Sequence, residues 1–405
     1  MSFNRFSQPV SHGLWFRLLG LLLGAALSFG LVVVMQLPLL GQPAIVDINA
    51  SSLDLGMAAS PLTWPSEGSA AVLIPSLGIE RSWRIHVVPI ASLTKMMTAY
   101  VVLKALPLAL GQSGPCITIS ENDVQQYEVM KETEQSSVLV SSGESICEFD
   151  LLNGLLVHSA SNYAVLLADM VAGNVTSFVA RMNETAASLG LGGTHYADVS
   201  GFSNESVSTA LDQGRLAILL MKSPLVRAIV DQSSVTLPVA GTVGSFTPYV
   251  GVDDVIGVKS GRTALAGGCD VMAMTFLDGT HTETAYAVVL GQQGGDQLGP
   301  AGDAALALAQ SATSPEPVNL EKGTVVGSIR WGGHSTNVVL SANAQFSWWS
   351  AKGSLRAQVR IEKITRSLHA GQRVGYLYLN AFSQRRISLV TTRSLAPLSL
   401  WHRLR

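Results

Sequence analysis

Ser92 and Lys95 are a pair of residues whose types and spacing could carry out chemistry. They stand three residues apart in Ser-Leu-Thr-Lys, at the start of an apolar segment that predicts a helix over residues 91–106. That spacing places both side chains on one helix face, about one turn apart. Serine becomes a nucleophile when a base takes its proton, and lysine is such a base once burial and the helix N-terminus lower its pKa. The pair therefore predicts a nucleophile and its base, although this short pattern alone also occurs on ordinary helix surfaces.

Two further segments carry hydroxyl and amine groups. Lys259, Ser260 and Gly261 end a predicted strand, where a lysine, a hydroxyl and a glycine that lets a ligand approach the backbone form a carboxylate-binding ledge. Ser159 and Ser161 stand in a break between two predicted helices. The combination of S-x-x-K, a serine motif and a K-[ST]-G motif is the signature of penicillin-interacting enzymes.

The three segments together resemble the serine-type D-alanyl-D-alanine carboxypeptidases, which are low-molecular-mass penicillin-binding proteins of peptidase family S11. PIASLTKMMTAY is similar to that family's first motif, and GVKSGRTALAGGC is similar to its third, with Ser260 in place of the usual threonine. THYADVSGFSNESVSTALDQGRLA resembles the stretch between the second and third motifs. The resemblance covers roughly residues 66–310.

The resemblance implies a role for each matched residue. Ser92 would attack the carbonyl between two D-alanines of a peptidoglycan pentapeptide and form an acyl-enzyme, and β-lactams would inhibit the enzyme by the same attack. Lys95 would take the serine proton, although which lysine acts as base is disputed for this class of motif. Ser159 would relay a proton to the leaving amine. The implied substrate-binding residues are Lys259, Ser260, Gly261, Arg262, Thr263 and Ser161, with the backbone N–H groups of Ser92 and Arg262 as the oxyanion hole.

Ser161 departs from the family pattern, which has asparagine as the third residue of the second motif. A serine hydroxyl donates one hydrogen bond but reaches less far than an amide, a loss expected to cost about 1–2 kcal/mol of substrate binding. Two alternatives to the carboxypeptidase therefore stay open, a penicillin-binding homologue that is weakly active or only binds the wall, and, less favoured, a β-lactamase. No acidic residue follows the second motif in an E-x-x-L-N context that would drive deacylation.

We expect no metal and no cofactor, because the sequence contains no Cys/His cluster with metal-ligand spacing. We also expect no nucleic-acid partner. His158, next to Ser159, is predicted to be a packing residue, because adjacent side chains normally point in different directions. Cys116 and Cys147 lie in two short strand-like segments that could pair, so a disulfide between them is a hypothesis.

A charge-free apolar segment runs from Leu18 to about Leu40, after Arg5 and Arg17. About 20 apolar residues can cross a bilayer, and the positive flank stays in the cytoplasm. We therefore favour a retained single-pass anchor over a cleaved signal, with the rest of the chain outside the cell membrane.

The predicted fold class is α+β, a β-lactamase/transpeptidase-like fold in which an antiparallel sheet is covered by helices and contains a helical insert. Beyond residue 314 the segments alternate as strands, and residues 315–405 hold 13 Lys and Arg against 3 Asp and Glu. This predicts a small basic all-β domain that could contact an anionic surface, or whose charges simply keep it soluble. The predicted boundaries are 1–42 for the cytoplasmic stub and anchor, 43–65 for a linker, 66–312 for the catalytic domain, 316–393 for the β domain and 394–405 for a tail.

Overall fold

The computed structural model describes residues 20–21, 23–24, 44–48, 53–54, 61–278, 280–331, 333–349, 356–379 and 386–396. The chain divides into two compact units. The large unit comprises residues 56–318 and 346–355, and the β unit comprises residues 1–55, 319–345 and 356–405.

From Ser69 onwards the elements follow the predicted order of a strand, a mostly helical middle, paired strands, a last helix and then strands. Helix α2 (Glu121–Glu132) was not predicted, and strands β1 (Ile45–Ile48) and β2 (Leu53–Asp54) lie in the segment predicted as a linker. The helices are α1 Thr94–Ala105, α2 Glu121–Glu132, α3 Glu148–Leu156, α4 Ser161–Ala172, α5 Val175–Ser188, α6 Ala210–Leu220, α7 Pro224–Val230 and α8 Leu298–Thr313, with 3-10 turns at Pro75–Leu77 and Ala91–Leu93. The strands up to the end of the central sheet are β1 Ile45–Ile48, β2 Leu53–Asp54, β3 Ser69–Ile74, β4 Ile79–Trp83, β5 Val88–Pro89, β6 Cys116–Thr118, β7 Ser145–Cys147, β8 Val207–Ser208, β9 Ser234–Leu237, β10 Gly241–Gly244, β11 Val255–Thr263, β12 Gly267–Asp278 and β13 His281–Gln292. The later strands are β14 Pro315–Leu320, β15 Val325–Trp331, β16 His334–Leu340, β17 Ala344–Trp349, β18 Arg356–Ile361, β19 Arg373–Leu379 and β20 Arg386–Thr391.

The large unit is built on an antiparallel five-stranded sheet with the order β11-β12-β13-β3-β4. Helix α8 covers one face, where Leu308 packs with Met272 and Val289. The helices inserted between β4 and β11 cover the other face, where Met96 of α1 packs with Val271. Strand β11 stands first in the strand order and is therefore an edge strand of this sheet. This architecture confirms the predicted α+β fold with a helical insert.

The predicted disulfide is confirmed. Strands β6 and β7 pair with Cys116 opposite Cys147, and the two cysteines are bonded to each other. Cys269 is a free, buried thiol on β12. Because the two strand-like segments lie 31 residues apart, the bond closes the loop that contains α2.

The β unit contains a seven-stranded sheet with the order β1-β15-β16-β20-β19-β18-β2. One face of this sheet is buried: Ile329 of β15, Leu377 of β19 and Leu389 of β20 are each fully buried. A strand with one buried face places every second side chain on that face. Strand β1 lies within the predicted 43–65 linker, but its β-branched residues pair along the edge strand β15, with Ile45 opposite Arg330.

The predicted anchor, Leu18 to about Leu40, lies outside the described residues apart from 20–21 and 23–24, which are helical. Within the described ranges, no individual helix combines the length and apolarity needed to cross a membrane. By length and composition only, α4 and α5 pass that test as a pair bent by 84°.

Candidate active site

Ser92 stands in the 3-10 turn that leads into α1, and Lys95 occupies the first turn of that helix. The Lys95 amine nitrogen Nζ lies 2.9 Å from Ser92 Oγ, within hydrogen-bond distance. Lys95 is only 1% exposed. Burial holds its pKa well below the usual lysine value, the positive charge of Lys259 lowers that pKa further, and Asp198 raises it. A buried amine with a lowered pKa, in contact with a hydroxyl, can accept the hydroxyl proton.

The turn that presents Ser92 differs from the predicted helix start at residue 91. Ala91 has a φ of 47°, in the left-handed region that non-glycine residues seldom adopt. The α-helix therefore begins at Thr94, three residues later than predicted. Ser159 also has a left-handed φ, of 61°. Backbone strain of this kind is concentrated at functional sites, and here it occurs at or beside two of the predicted catalytic serines.

The loop that carries Asp198 and Ser200 fixes the second hydrogen bond of the Lys95 amine. Lys95 Nζ donates to the backbone carbonyl of Ser200 at 2.8 Å. Asp198 Oδ2 in turn accepts from the backbone N–H groups of Gly201 and Phe202, at 2.8 and 2.9 Å. Prediction from the sequence missed this role, although the matched segment THYADVSGFSNES contains the loop.

Lys259, Ser260 and Gly261 lie on the edge strand β11, directly against the nucleophile. A Cβ atom added to Gly261 would meet the Ser92 backbone nitrogen at 2.5 Å. The sequence predicted that this glycine lets a ligand approach the backbone. In the structure, the neighbour that requires the glycine is the backbone of Ser92. Lys259 is fully buried and donates to the carbonyl of Ser260 at 2.8 Å, and burial lowers its pKa to about 7.

The second motif lies between α3 and α4, in the predicted break. Ser159 is 3% exposed, and its hydroxyl oxygen has no hydrogen-bond partner among the described residues. Ser161 begins α4. Asn162 is occupied elsewhere, because its amide side chain makes two hydrogen bonds to the backbone of Val138, at 3.0 and 2.7 Å. Asn162 therefore cannot replace the asparagine that the motif lacks.

A cavity of about 460 Å³ opens above these residues. Of the predicted site residues, Ser92, Ser161, Arg262 and Thr263 line it, whereas Lys95, Ser159, Lys259 and Ser260 are buried beside or behind it. Its other lining residues are Ser200, Gly201, Phe202, Ala264, Gln297 and the loop of residues 133–136. The cavity is lined mainly by polar groups that could bind a peptide.

The family model described as D-alanyl-D-alanine carboxypeptidase, peptidase S11, matches residues 84–294, which include all three motifs and all but one of the residues that line the cavity. The chain belongs to this family. The family resemblance inferred from the motifs is confirmed.

Individual relatives agree with this assignment. The D-alanyl-D-alanine endopeptidase of Pseudomonas aeruginosa is 36% identical over 143 residues, which are 35% of this chain and 42% of that protein. The D-alanyl-D-alanine carboxypeptidase of a Streptomyces species is 31% identical over 204 residues, 45% of this chain and 67% of that protein. The structure of penicillin binding protein 5 from Haemophilus influenzae has a TM-score of 0.57 at 20% identity, covering 84% of this chain and 100% of that chain, and shows the same fold.

His158 and the question of a metal site remain for this S11 family member. His158 lies 2.8 Å, through Nδ1, from the carbonyl of Gly244 and packs its ring on Phe246, which confirms its prediction as a packing residue. In the described part of the chain, no three His, Cys, Asp or Glu side chains gather into a group that could hold a metal ion.

Proposed function

We propose that this chain hydrolyses the terminal D-Ala–D-Ala bond of peptidoglycan stem peptides through an acyl-enzyme on Ser92. The observation that carries the proposal is the 2.9 Å contact between Ser92 Oγ and the buried, low-pKa amine of Lys95. Lys95 takes the hydroxyl proton as Ser92 attacks the carbonyl carbon. The N–H groups of Ser92 and Arg262 stabilise the developing oxyanion.

The remaining steps use the ledge and the second motif. The terminal carboxylate of the peptide binds at Thr263, which lines the cavity, with the buried amine of Lys259 behind it. The Ser260 hydroxyl, 1% exposed, donates instead to the carbonyl of Phe246 at 2.8 Å. Ser159 passes a proton to the leaving D-alanine amine, a role that suits its buried hydroxyl without a partner among the described residues. Water then attacks the acyl group and frees Ser92.

Release of D-alanine from a pentapeptide tests the proposal. The wild-type chain should release it, Ser92→Ala should not, and Ser120→Ala should, because Ser120 caps the N-terminus of α2 and does not line the cavity. Fluorescent penicillin on a gel separates the alternatives. Stable labelling without D-alanine release indicates a weakly active wall-binding homologue, fast turnover of the label indicates a β-lactamase, and the absence of both activities refutes the proposed function.

We propose in addition that residues 18–40 anchor the chain in the cell membrane, with the large unit outside the cell. The charge-free apolar segment after Arg17 supports the anchor. The disulfide Cys116–Cys147 suits an oxidising compartment. If the large unit in intact spheroplasts resists added protease, or if the chain leaves the membrane in alkaline carbonate, this part of the proposal is wrong.

The basic β unit is proposed to contact an anionic polymer of the cell wall. Its outer face carries arginines stacked on tyrosine rings, with Arg373 and Arg386 lying 5.1 and 4.6 Å from the centre of the Tyr376 ring and Arg360 lying 5.1 Å from that of Tyr378. Arg373 Nε also lies 3.9 Å from Glu362 Oε1. A planar guanidinium binds phosphate or carboxylate with two hydrogen bonds.

Binding of the full chain to a soluble polyphosphate tests this contact. Changing Arg360, Arg373 and Arg386 to glutamine should weaken binding and reduce its dependence on salt. A control variant changes two arginines of the large unit, Arg84 and Arg181, to glutamine and should leave binding close to that of the wild type. Equal binding by all three proteins contradicts the proposal. An effect of the arginine changes on anionic vesicles alone would reassign the face to lipid headgroups.

A further inference from the structure

Glu134 lines the cavity, and the steps above do not use it. Among the described residues, the lining contains one acidic side chain, Glu134, and one basic side chain, Arg262. Arg262 belongs to β11, and its guanidinium donates to the carbonyl of Asp296 at 3.2 Å. Glu134 belongs to the loop of residues 133–136. The two charged side chains therefore come from different segments of the cavity wall, and no ion pair joins them in the described structure.

The Glu134 carboxylate has no partner of its own within the described ranges. It forms neither an ion pair nor a hydrogen bond there, and its side chain is exposed. Lys131, the basic residue nearest to it along the chain, is engaged elsewhere. The Lys131 amine lies 3.6 Å from the Glu128 carboxylate and 5.8 Å from the centre of the Tyr127 ring. A positively charged group that enters the cavity therefore meets an uncompensated carboxylate.

The backbone at Glu134 is unusual for a residue with a side chain. Helix α2 ends in a Schellman motif, in which the Glu134 N–H donates to the carbonyl of Lys131 at 3.1 Å. The Gln135 N–H donates to the carbonyl of Met130 at 2.9 Å. The central position of this motif is left-handed and is usually glycine, whereas here it is glutamate with a φ of 57°. A side chain in this conformation costs stability, and such strain is concentrated at functional sites.

Hydrogen bonds attach the loop of residues 133–136 to the second motif. The Ser161 N–H donates to the carbonyl of Ser136 at 2.7 Å. The Asn162 side chain also bonds to the backbone two residues beyond Ser136. Because the loop that carries Glu134 is already fixed, a ligand that binds there loses little free energy to ordering it.

The distribution of charge in the cavity matches a peptide that carries both signs of charge. The terminal carboxylate of the proposed substrate binds on the β11 side, at Thr263 and in front of Lys259. A carboxylate elsewhere in the same cavity attracts a positive group on that peptide and disfavours a negative one. An amine on a flexible side chain, as in lysine, can reach a wall that the peptide backbone does not touch.

We propose that Glu134 is a specificity-determining residue that binds a positively charged amine on the side chain preceding the two D-alanines. The preferred substrate is then a stem peptide whose side-chain amine is free, and a peptide with that amine acylated is the poorer substrate. This inference rests on the proposed function, because it names which stem peptide the same site prefers.

Release of D-alanine from two peptides measures this preference. One is Nα-acetyl-L-Lys-D-Ala-D-Ala, whose side-chain amine is free, and the other is the same peptide with that amine acetylated. At low salt the wild type should show a kcat/KM about two- to fivefold higher for the free amine, as expected for an exposed ion pair. Salt at about 1 M should remove most of that preference. Glu134→Gln should bring the ratio close to one by lowering kcat/KM for the free-amine peptide, and Glu134→Lys should invert it.

Two further variants separate this contact from other effects. Glu132→Gln is the matched control, because Glu132 is exposed at the end of α2 and does not line the cavity, so the wild-type ratio should persist. Glu134→Gly should lose the preference without a fall in Tm, since glycine adopts the left-handed conformation without strain.

Four results would overturn the proposal. They are a ratio of one in the wild type, a wild-type ratio in Glu134→Gln, an equal loss of preference in Glu132→Gln, and a Tm several degrees lower in Glu134→Gly. The last result would mean that folding requires this side chain.

Ser92→Ala distinguishes failure of this inference from failure of the proposed function. This variant binds peptides without forming an acyl-enzyme, so calorimetry can compare the Kd values of the two peptides. A lower Kd for the free-amine peptide, lost when Glu134→Gln is added, supports the role of Glu134. Equal Kd values overturn that role. If the wild type releases D-alanine from neither peptide, the proposed function is refuted, and the two Kd values alone decide the role of Glu134.

Discussion

Gly261→Ala provides a strict test of how β11 and the nucleophile fit together. The added methyl carbon would lie 2.5 Å from the Ser92 nitrogen, 3.0 Å from its Cα and 3.1 Å from its Cβ. The nearest atom is thus short of ordinary van der Waals contact by roughly 1 Å, and it is backbone that cannot rotate away. Either β11 or the turn that carries Ser92 has to move.

The expected cost has two parts. Overpacking a buried contact costs about 1–3 kcal/mol of stability, so Tm should fall by a few degrees. A displacement of about 1 Å between reacting groups costs about 100-fold in rate, so the second-order rate constant of penicillin acylation should fall by about that factor. The acylation rate constant should therefore fall much further, in relative terms, than the free energy of unfolding.

A matched control is Gly244→Ala, since Gly244 lies on β10 and an added Cβ would meet nothing within 4 Å. Acylation and Tm in that variant should stay close to wild type. The reasoning is refuted if Gly261→Ala acylates within about threefold of the wild type. The reasoning is also refuted if the acylation rate constant falls by no more than the fraction of folded Gly261→Ala protein falls.

Three other predictions concern the amine, the second motif and the disulfide. Because burial and Lys259 lower the pKa of Lys95, the acylation rate should rise as pH rises through that pKa. Lys95→Arg, whose side chain stays protonated, should lower the rate by about 10²–10⁴-fold. A pH-independent rate, or an active arginine variant, contradicts the assignment of Lys95 as the base. Ser161→Asn restores the amide that the family uses and should strengthen transition-state binding of a pentapeptide by about 1–2 kcal/mol, which is measured as an increase in kcat/KM. Unchanged kinetics would mean that this position does not contact the peptide. Reducing Cys116–Cys147, which are 31 residues apart, should lower the free energy of unfolding by about 3–4 kcal/mol in urea, and Cys269→Ala should not make the protein sensitive to reductant.

The catalytic motifs could be predicted because each depends on local spacing. The three-residue interval between Ser92 and Lys95 fixes their relation on one turn, whatever the rest of the chain does. The alternation of residues in β18 and β19 likewise predicts strands without knowledge of their partners. The strand-like segments around Cys116 and Cys147 offered a pairing that the structure confirms.

The roles that could not be predicted depend on contacts between distant segments. Asp198 fixes the loop that holds the Lys95 amine, 103 positions along the chain from that lysine. Gly261 is constrained by the turn of Ser92. The left-handed conformation of Ala91, which delays the helix start to Thr94, likewise depends on the packing of the turn and not on local helix propensity.

Peptide mapping after incubation with benzylpenicillin tests the central claim most directly. Trypsin cleaves after Arg84 and Lys95, so Ser92 lies in the peptide of residues 85–95, in which Ser92 and Thr94 are the only hydroxyl side chains. The mechanism predicts a penicilloyl adduct on this peptide, fragmented to Ser92 and missing from Ser92→Ala. An adduct on any other peptide, or one that persists in Ser92→Ala, would contradict Ser92 as the nucleophile.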